Sequence, residues 1–202
     1  MIGEPSGQSR IGPNAVTRMF EALRSSTDDV VLRRVAERAG LGAYVAERPE
    51  AMVEEREVEA LHRAVWAECG ATVAVAIADD AGRRTGDYLL ANRIPRPAQS
   101  VLRVLPPAAS SACLLAAIGR HAWTFAGSGA FVVQRRAPAR LAIEGGPIMR
   151  LGDAAPSLVA YYAGTFARLY QVLVSPRSEA DGRLMERGGR RGCTIAIDWR
   201  RS

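Results

Sequence analysis

The sequence predicts an α+β fold in which helices pack on a mainly antiparallel sheet. Apolar residues at helical spacing dominate the chain up to about residue 119. Alternating apolar and polar residues then indicate strands, and one long apolar helix precedes a closing strand. Helices first and strands later are typical of an α+β domain. With 202 residues, 48% of them hydrophobic, the chain is long enough for one domain with a substantial core.

The N-terminal segment is polar and rich in Gly, Pro and Ser. We expect a flexible arm over residues 1–13 and a single domain over residues 14–202. Apolar residues at three- and four-residue spacing follow Asn14 and indicate a first helix, and a second helix starts near Thr27 and stops at Gly40.

Two short helices in succession could imitate a DNA-binding helix-turn-helix. The first helix is very apolar on its inward face and the Ser25-Ser26 turn is generic, so packing or dimerisation is the preferred interpretation. No nucleic-acid partner is therefore expected.

Further helices are predicted before the strands begin. Their limits are Val53 to Cys69, Ala71 to Ala78, Asp87 to Asn92 after a break at Gly82, and Pro106-Pro107 to Gly119. His62 lies beside the apolar stripe of the first of these helices, where a structural role is the main interpretation and a functional role the alternative.

The segment His121-Ala-Trp-Thr-Phe-Ala-Gly-Ser-Gly-Ala-Phe131 carries the most information in the chain. Read as a strand, it places His121, Trp123 and Phe125 on one face. The Gly127-Ser-Gly129 triplet then suits a three-residue hairpin loop. A turn centred on Ser128 would set Phe131 opposite Phe125, Val133 opposite Trp123 and Arg135 opposite His121.

Three more elements are expected after that hairpin. Arg140 to Glu144 is a strand, and a long helix from about Ala155 to Val174 carries an apolar stripe that includes Tyr162 and Phe166. The stripe suits plain core packing or the wall of a ligand site. Cys193 to Trp199 alternates cleanly and indicates a closing strand with one buried face.

Charge and cysteine usage limit the possible partners. All 27 basic residues are arginine and the net charge is +6, which permits an anionic partner without requiring one. Six arginines concentrate near the C-terminus, as a solvated tail or as a docking surface for a carboxylated ligand, an acidic partner or a membrane. They are Arg183, Arg187, Arg190, Arg191, Arg200 and Arg201.

The three cysteines are scattered and form no metal-binding pattern, so no metal site is expected. Without a signal peptide or a membrane-spanning run, we expect a soluble cytoplasmic protein that could touch a membrane peripherally. No nucleotide, flavin or iron–sulfur motif is visible, so no intrinsic cofactor is expected and binding is favoured over unaided redox catalysis.

Aromatic rings, a histidine and arginines near one segment suit a flat apolar ligand that carries carboxylates. A magnesium or iron tetrapyrrole fits this description, with His121 as a conceivable axial ligand. The candidate ligand-binding residues are His121, Trp123, Phe125, Phe131, Arg135, Arg136, Tyr162 and Phe166. The alternative is an ordinary strand that packs its aromatic residues into the core.

Four segments together resemble a known family. Ile11-Gly-Pro-Asn14, Asp87-Tyr-Leu-Leu-Ala-Asn-Arg-Ile-Pro95, His121 to Gly129 and Arg191 to Ile197 are similar to the BchJ family of bacteriochlorophyll biosynthesis proteins, which has a 4-vinyl-reductase-type domain. The resemblance implies the fold shared by that domain and vesicle-trafficking subunits, with an internal apolar ligand cavity and frequent dimerisation.

The resemblance also implies functions. The family label is reduction of the 8-vinyl group (the 4-vinyl group in older numbering) of a divinyl protochlorophyllide-type pigment, by an enzyme or its accessory subunit. A carrier that hands tetrapyrrole intermediates between enzymes such as magnesium chelatase and the following methyltransferase fits the residues better. The third possibility is a small-molecule sensor or assembly subunit. Sensory members of the superfamily hold zinc at clustered cysteines, whereas here Cys193 stands alone near that region.

Overall fold

The computed structural model describes residues 9–187 and 189–199. Residues 1–8 of the expected arm lie outside this range, as do Arg200 and Arg201 of the C-terminal arginine group. The side chains of Arg187 and Arg190 are likewise outside the description.

The N-terminal part is helical and begins with a short strand pair. Strand β1 (Arg10–Ile11) pairs antiparallel with β2 (Val53–Glu54), so two residues of the expected arm join a small sheet. Between and after these strands lie α1 (Asn14–Ser26), α2 (Asp29–Arg38), α3 (Ala43–Ala46), α4 (Glu55–Cys69), α5 (Ala71–Asn92), α6 (Arg96–Val104), α7 (Pro107–Arg120) and α8 (Trp123–Ala126).

Local capping explains where two of these helices begin. The Asp28 carboxylate accepts hydrogen bonds from the N–H groups of Val30 and Val31 at the start of α2. At the start of α4, the Glu54 side chain accepts from the N–H of Glu57, while the Glu57 side chain accepts from the N–H of Glu54. Each helix thus begins where side chains satisfy its free N–H groups.

The C-terminal part is a four-stranded antiparallel sheet in the order β3-β4-β6-β5. Its members are β3 (Ala130–Arg136), β4 (Ala139–Glu144), β5 (Glu179–Arg187) and β6 (Arg190–Asp198), and α9 (Ala155–Leu173) connects β4 to β5. The predicted closing strand and long helix are confirmed. Cys193, Ile195 and Ile197 face the core as expected.

The predicted hairpin at Gly127-Ser-Gly129 is wrong. Residues Trp123–Ala126 form α8, and β3 turns at residues 137–138 to pair with β4, so Phe131 lies opposite Ile143 and Val133 opposite Leu141. The six residues from His121 to Ala126 alternate between ring-bearing and small side chains. Over so short a length this pattern fits a helical turn as well as a strand. Gly127 instead takes a φ of +58° where the chain leaves α8.

Helix α5 runs without a break through Gly82, where the sequence predicted an interruption. A Cβ at Gly82 would overlap the carbonyl oxygen of Tyr161 on α9 and lie 3.0 Å from the N of Thr165. On the opposing helix, a Cβ at Gly164 would lie 2.5 Å from the carbonyl oxygen of Asp79. The two glycines are therefore needed for the close approach of α5 and α9.

Helix α9 is the centre of the fold. It is buried over most of its length, with α5 on one side and the sheet on the other. The inner face of the sheet touches it at Gly182, where a Cβ would lie 2.7 Å from Cγ1 of Val159. Two side-chain hydrogen bonds add to the α5–α9 contact: Thr165 Oγ1 donates to the carbonyl of Gly82 at 3.0 Å, and the hydroxyls of Thr85 and Tyr161 meet at 2.8 Å.

None of the helices in the described part of the chain is long and apolar enough to cross a membrane.

Replacing Gly82 by alanine is expected to destabilise the protein, although alanine is the better helix former by about 1 kcal/mol. The new Cβ would force α5 and α9 apart, and overpacking of this kind costs about 1–3 kcal/mol or more. Chemical denaturation of Gly82→Ala measures the loss in the free energy of unfolding.

Gly119→Ala is the matched control. Gly119 lies in α7, is exposed, and has only Phe131 Cε1 at 4.0 Å from a built Cβ. We expect it to be neutral or stabilising by up to about 1 kcal/mol. Equal stability of the two variants would contradict the close-packing argument.

Candidate functional site

Four of the eight predicted ligand-binding residues come together in one aromatic cluster, formed by Phe125, Phe131, Tyr162 and Phe166. The ring of Phe125 lies edge to face with the other three rings, at centroid distances of 5.6 Å to Phe131, 6.2 Å to Tyr162 and 6.0 Å to Phe166. Phe131 and Phe166 are 6.3 Å apart. These contacts join α8, β3 and α9, and the rings pack on one another as core does.

Trp123 and His121 lie outside the aromatic cluster, on the surface. Trp123 is 61% exposed, and His121 is exposed where α7 gives way to α8. In a helix, residues two apart point about 200° apart, so Phe125 turns inward while Trp123 turns out. The expectation that His121, Trp123 and Phe125 share a face is therefore wrong. Arg120, which the sequence reasoning did not select, is exposed beside His121.

Arg135 and Arg136 lie at the other end of β3 from Phe131. A bulge between Val133 and Arg135 sets Arg135 opposite Arg140, and its Nε donates to the carbonyl of Pro138 at 3.1 Å. Helix α7 runs antiparallel to β3, since Gly119 is close to Phe131 and Ser111 donates to the carbonyl of Arg136 at 3.4 Å. The structure thus separates both arginines from His121 by the length of α7.

The segment around α8 is fastened at three points. The N–H of Gly12 donates to the carbonyl of Thr124 at 2.7 Å, and the Tyr162 hydroxyl donates to the carbonyl of Phe125 at 3.0 Å. The Glu55 carboxylate on α4 accepts from the N–H of Ser128 at 2.9 Å and from its hydroxyl at 3.0 Å. A Cβ at Gly127 would collide with that carboxylate, which explains the glycine.

Glu55 belongs to a buried charge group that the sequence analysis missed. Glu55 and Glu59 are 8% and 2% exposed, and the Arg150 guanidinium contacts both, with Nε 2.7 Å from Glu59 Oε1. The hydrogen bond to Glu59 is the main cause that raises the pKa of Arg150. The sequence shows two acids four residues apart within the apolar stripe of α4. It does not show that their partner is Arg150, which lies 91 residues from Glu59.

His62 is fully buried on α4. Ser157 donates to the carbonyl of Ala154 at 2.7 Å, so its oxygen accepts from Nδ1–H of His62 at 2.8 Å. Nε2 then carries a lone pair that has no partner among the described residues. Burial lowers the pKa of His62 to about 3, so the ring is neutral. This agrees with a structural role for one ring nitrogen and leaves the other unsatisfied.

A surface cleft of about 530 Å³ lies away from the aromatic cluster. It is lined by Trp66 on α4, by Pro156 on α9, and by Leu184 and Met185 on β5. Asp153, Glu186 and Arg191 also line it. The cleft gives a second apolar surface against which binding at Trp123 can be compared.

Removing the cation of the Glu55–Glu59–Arg150 group is expected to destabilise the protein. Arg150→Met leaves two buried carboxylates without their shared partner, and we expect a loss of about 2 kcal/mol, less than for a fully buried pair because Arg150 is half exposed. Arg183→Met, at the exposed pair with Asp181, should cost less than about 0.5 kcal/mol. Equal losses in denaturant melts would refute the assignment.

Acid should destabilise the folded chain through His62. Between pH of about 6.5 and about 3, the unfolded chain binds a proton at His62 that the folded chain does not. The free energy of unfolding therefore falls as the pH is lowered through this window, by up to about 1.4 kcal/mol per pH unit from this residue.

His62→Gln should make this pH dependence shallower in denaturant melts across the window. Ser157→Ala is the control, because it removes the hydrogen bond but keeps the titrating ring. It should lower stability and leave the slope unchanged. A slope that persists in His62→Gln would show that other groups cause it.

Two curated relatives are similar over most of the chain, although no family model matches it. A bacteriochlorophyll synthase 23 kDa chain from Cereibacter sphaeroides is 35% identical over 177 residues, which cover 87% of this chain and 84% of that protein. The chain of the same name from Rhodobacter capsulatus is 36% identical over 169 residues, or 84% and 78%.

Solved structures of similar fold include H-NOX domains. The Fe(II) unliganded H-NOX protein from K. algicida gives a TM-score of 0.61 at 12% identity, covering 93% of this chain and 97% of that one. An H-NOX structure solved to probe the function of heme distortion gives 0.57 at 12% identity, covering 95% and 96%.

These neighbours correct the fold expectation. The α+β class and the antiparallel sheet follow from the pattern of the sequence as predicted, but the 4-vinyl-reductase and trafficking-subunit fold is wrong. The chain has an H-NOX-like fold instead, with the helical N-terminal part ahead of the four-stranded sheet. The resemblance to bacteriochlorophyll biosynthesis proteins is confirmed at the level of sequence, and the chain belongs to the family of the bacteriochlorophyll synthase 23 kDa chain.

Proposed function

We propose that this protein is a tetrapyrrole-binding carrier in bacteriochlorophyll biosynthesis. The observation that carries the proposal is an exposed tryptophan and an exposed histidine at the α7–α8 junction, close to the aromatic cluster. Family membership supports the pathway, because the relatives are named for bacteriochlorophyll synthesis. The fold supports the ligand class, because an H-NOX structure of similar fold was solved to probe the function of heme distortion in that family, and heme is a tetrapyrrole.

The packing of the aromatic cluster favours a pigment bound at the surface. A macrocycle inserted between two rings needs about 7 Å between their planes, whereas the centroids of these rings are only 5.6–6.3 Å apart and the three pairs that include Phe125 meet edge to face. His62 is enclosed by side chains, so of the two histidines His121 is the accessible one. A ligand held on the surface can be passed on, which is what a carrier requires.

In this proposal each residue has a defined task. Trp123 stacks on the macrocycle, and burial of its exposed face supplies the apolar contribution at roughly 25 cal/mol per Å². The imidazole of His121 approaches the central metal, and Arg120 pairs with a carboxylate. Phe125 and Phe131 pack α8 and β3 on Phe166 of α9, whereas Arg135 and Arg136 contact only a ligand that extends along α7. Magnesium chelatase would supply the pigment to this protein, and the methyltransferase that follows would receive it.

Titration with magnesium protoporphyrin and with metal-free protoporphyrin tests the proposal. Saturable binding should shift the Soret band and quench tryptophan fluorescence. We expect Trp123→Leu to weaken the binding of both porphyrins about tenfold, since an exposed aromatic anchor of this kind contributes more than about 1.4 kcal/mol to the binding free energy. His121→Ala should abolish the Soret shift of the magnesium form and leave the affinity for the metal-free form unchanged.

Trp66→Leu is the control, because Trp66 lines the separate cleft. Its affinity should equal that of the wild type. No saturable binding of either porphyrin would refute the carrier, and weakening by Trp66→Leu alone would move the pigment to the cleft. Turnover of a divinyl pigment with NADPH or reduced ferredoxin would favour the reductase instead.

A further inference from the structure

The segment from Tyr88 to Ile143 contains no aspartate or glutamate, although the chain has 21 acidic residues in all. The same segment contains seven arginines. None of the seven forms an ion pair within the described residues, whereas Arg83, Arg84 and Arg150 in the flanking sequence each do. The arginines without ion pairs are Arg93, Arg96, Arg103, Arg120, Arg135, Arg136 and Arg140. Among the described residues, no carboxylate therefore neutralises their charge through an ion pair.

The elements of this segment are neighbours in space. Helix α6 contacts α7, and both α7 and α8 contact β3. We call the exposed side of these elements the acid-free face. It adjoins the proposed pigment site at Trp123 but extends well beyond it, over the whole of α6 and α7.

The acid-free face is also apolar. On α6, Val101 is 56% exposed and Val104 is 82% exposed. The outward side of α7 has no charged residue before Arg120 and consists of small residues, and these are Ala108, Ala109, Cys113, Ala116 and Ala117. Exposed aliphatic side chains beside arginines and an exposed tryptophan form the pattern of a surface that lies in a membrane interface.

The inward side of α7 explains why its outward side is free for such a task. Ser110 donates to the carbonyl of Leu173 at 2.9 Å, and the hydroxyls of Ser111 and Tyr170 meet at 3.0 Å. Leu114 and Leu115 are buried on the same side. The helix is thus held to α9 by its inner residues, whereas the outward alanines are exposed.

We propose that the acid-free face docks on an anionic lipid bilayer. Charge complementarity selects this occupant, because arginines that form no ion pair within the described residues attract anionic headgroups, while Val101, Val104 and Trp123 enter the interface. The inference goes beyond the carrier function and does not rest on it.

Flotation of the pigment-free protein with vesicles tests the proposal. Vesicles of phosphatidylcholine with phosphatidylglycerol should bind the protein at low salt, and vesicles of phosphatidylcholine alone should not. Arg96→Gln/Val104→Glu should weaken binding at least tenfold, given about fivefold for each arginine near an anionic surface. The emission of the wild type should shift to the blue on binding, and that of Trp123→Phe should not.

Val30→Glu/Arg33→Gln is the matched control, since it makes the same changes on α2, where Val30 is 61% exposed. It should bind as the wild type does. Equal weakening by the two double variants, or no binding to anionic vesicles at low salt, would overturn the proposal. Binding to duplex DNA without binding to vesicles would overturn it as well, because the arginines would then bind a nucleic acid and not a lipid surface.

Discussion

The close contact between α5 and α9 is the constraint on which the rest of the structure depends. Gly82 and Gly164 let the two helices approach until backbone touches backbone, so no side chain can enter between them. The opposite side of α9 then meets the sheet at Gly182 and the aromatic cluster at Tyr162 and Phe166. Because α9 is shared by both halves of the molecule, its position relative to α5 fixes where the sheet and the cluster lie.

The sequence is informative where one pattern continues over many residues. The stripe of α9 and the alternation from Cys193 to Trp199 each indicate one type of secondary structure, and the helix and the strand are both confirmed. The six residues before Gly127 suit two interpretations, and the tertiary hydrogen bonds from Gly12 and Tyr162 are made with the helical one. The predicted helix break at Gly82 is wrong for the same reason, since glycine occurs both where a helix ends and where two helices pack closely.

The candidate site shows the limit of reasoning from residue type. Phe125, Phe131, Tyr162 and Phe166 do lie together, because aromatic residues on neighbouring elements tend to share the core. The residue types alone do not distinguish the wall of a ligand site from a packed aromatic cluster, because that difference depends on the distances between the elements that carry the residues. The Glu55–Ser128 contact, between residues 73 apart, has no local signature at all.

The way in which α8 is held has a consequence for how this family can diverge. The ties from Gly12 and Tyr162 end on the carbonyl groups of α8, and Glu55 binds an N–H group just after it. None of these ties uses the outward side chains of α8. Position 123 is therefore free to change during evolution without loosening the scaffold, so relatives could alter what they bind there while keeping the same fold.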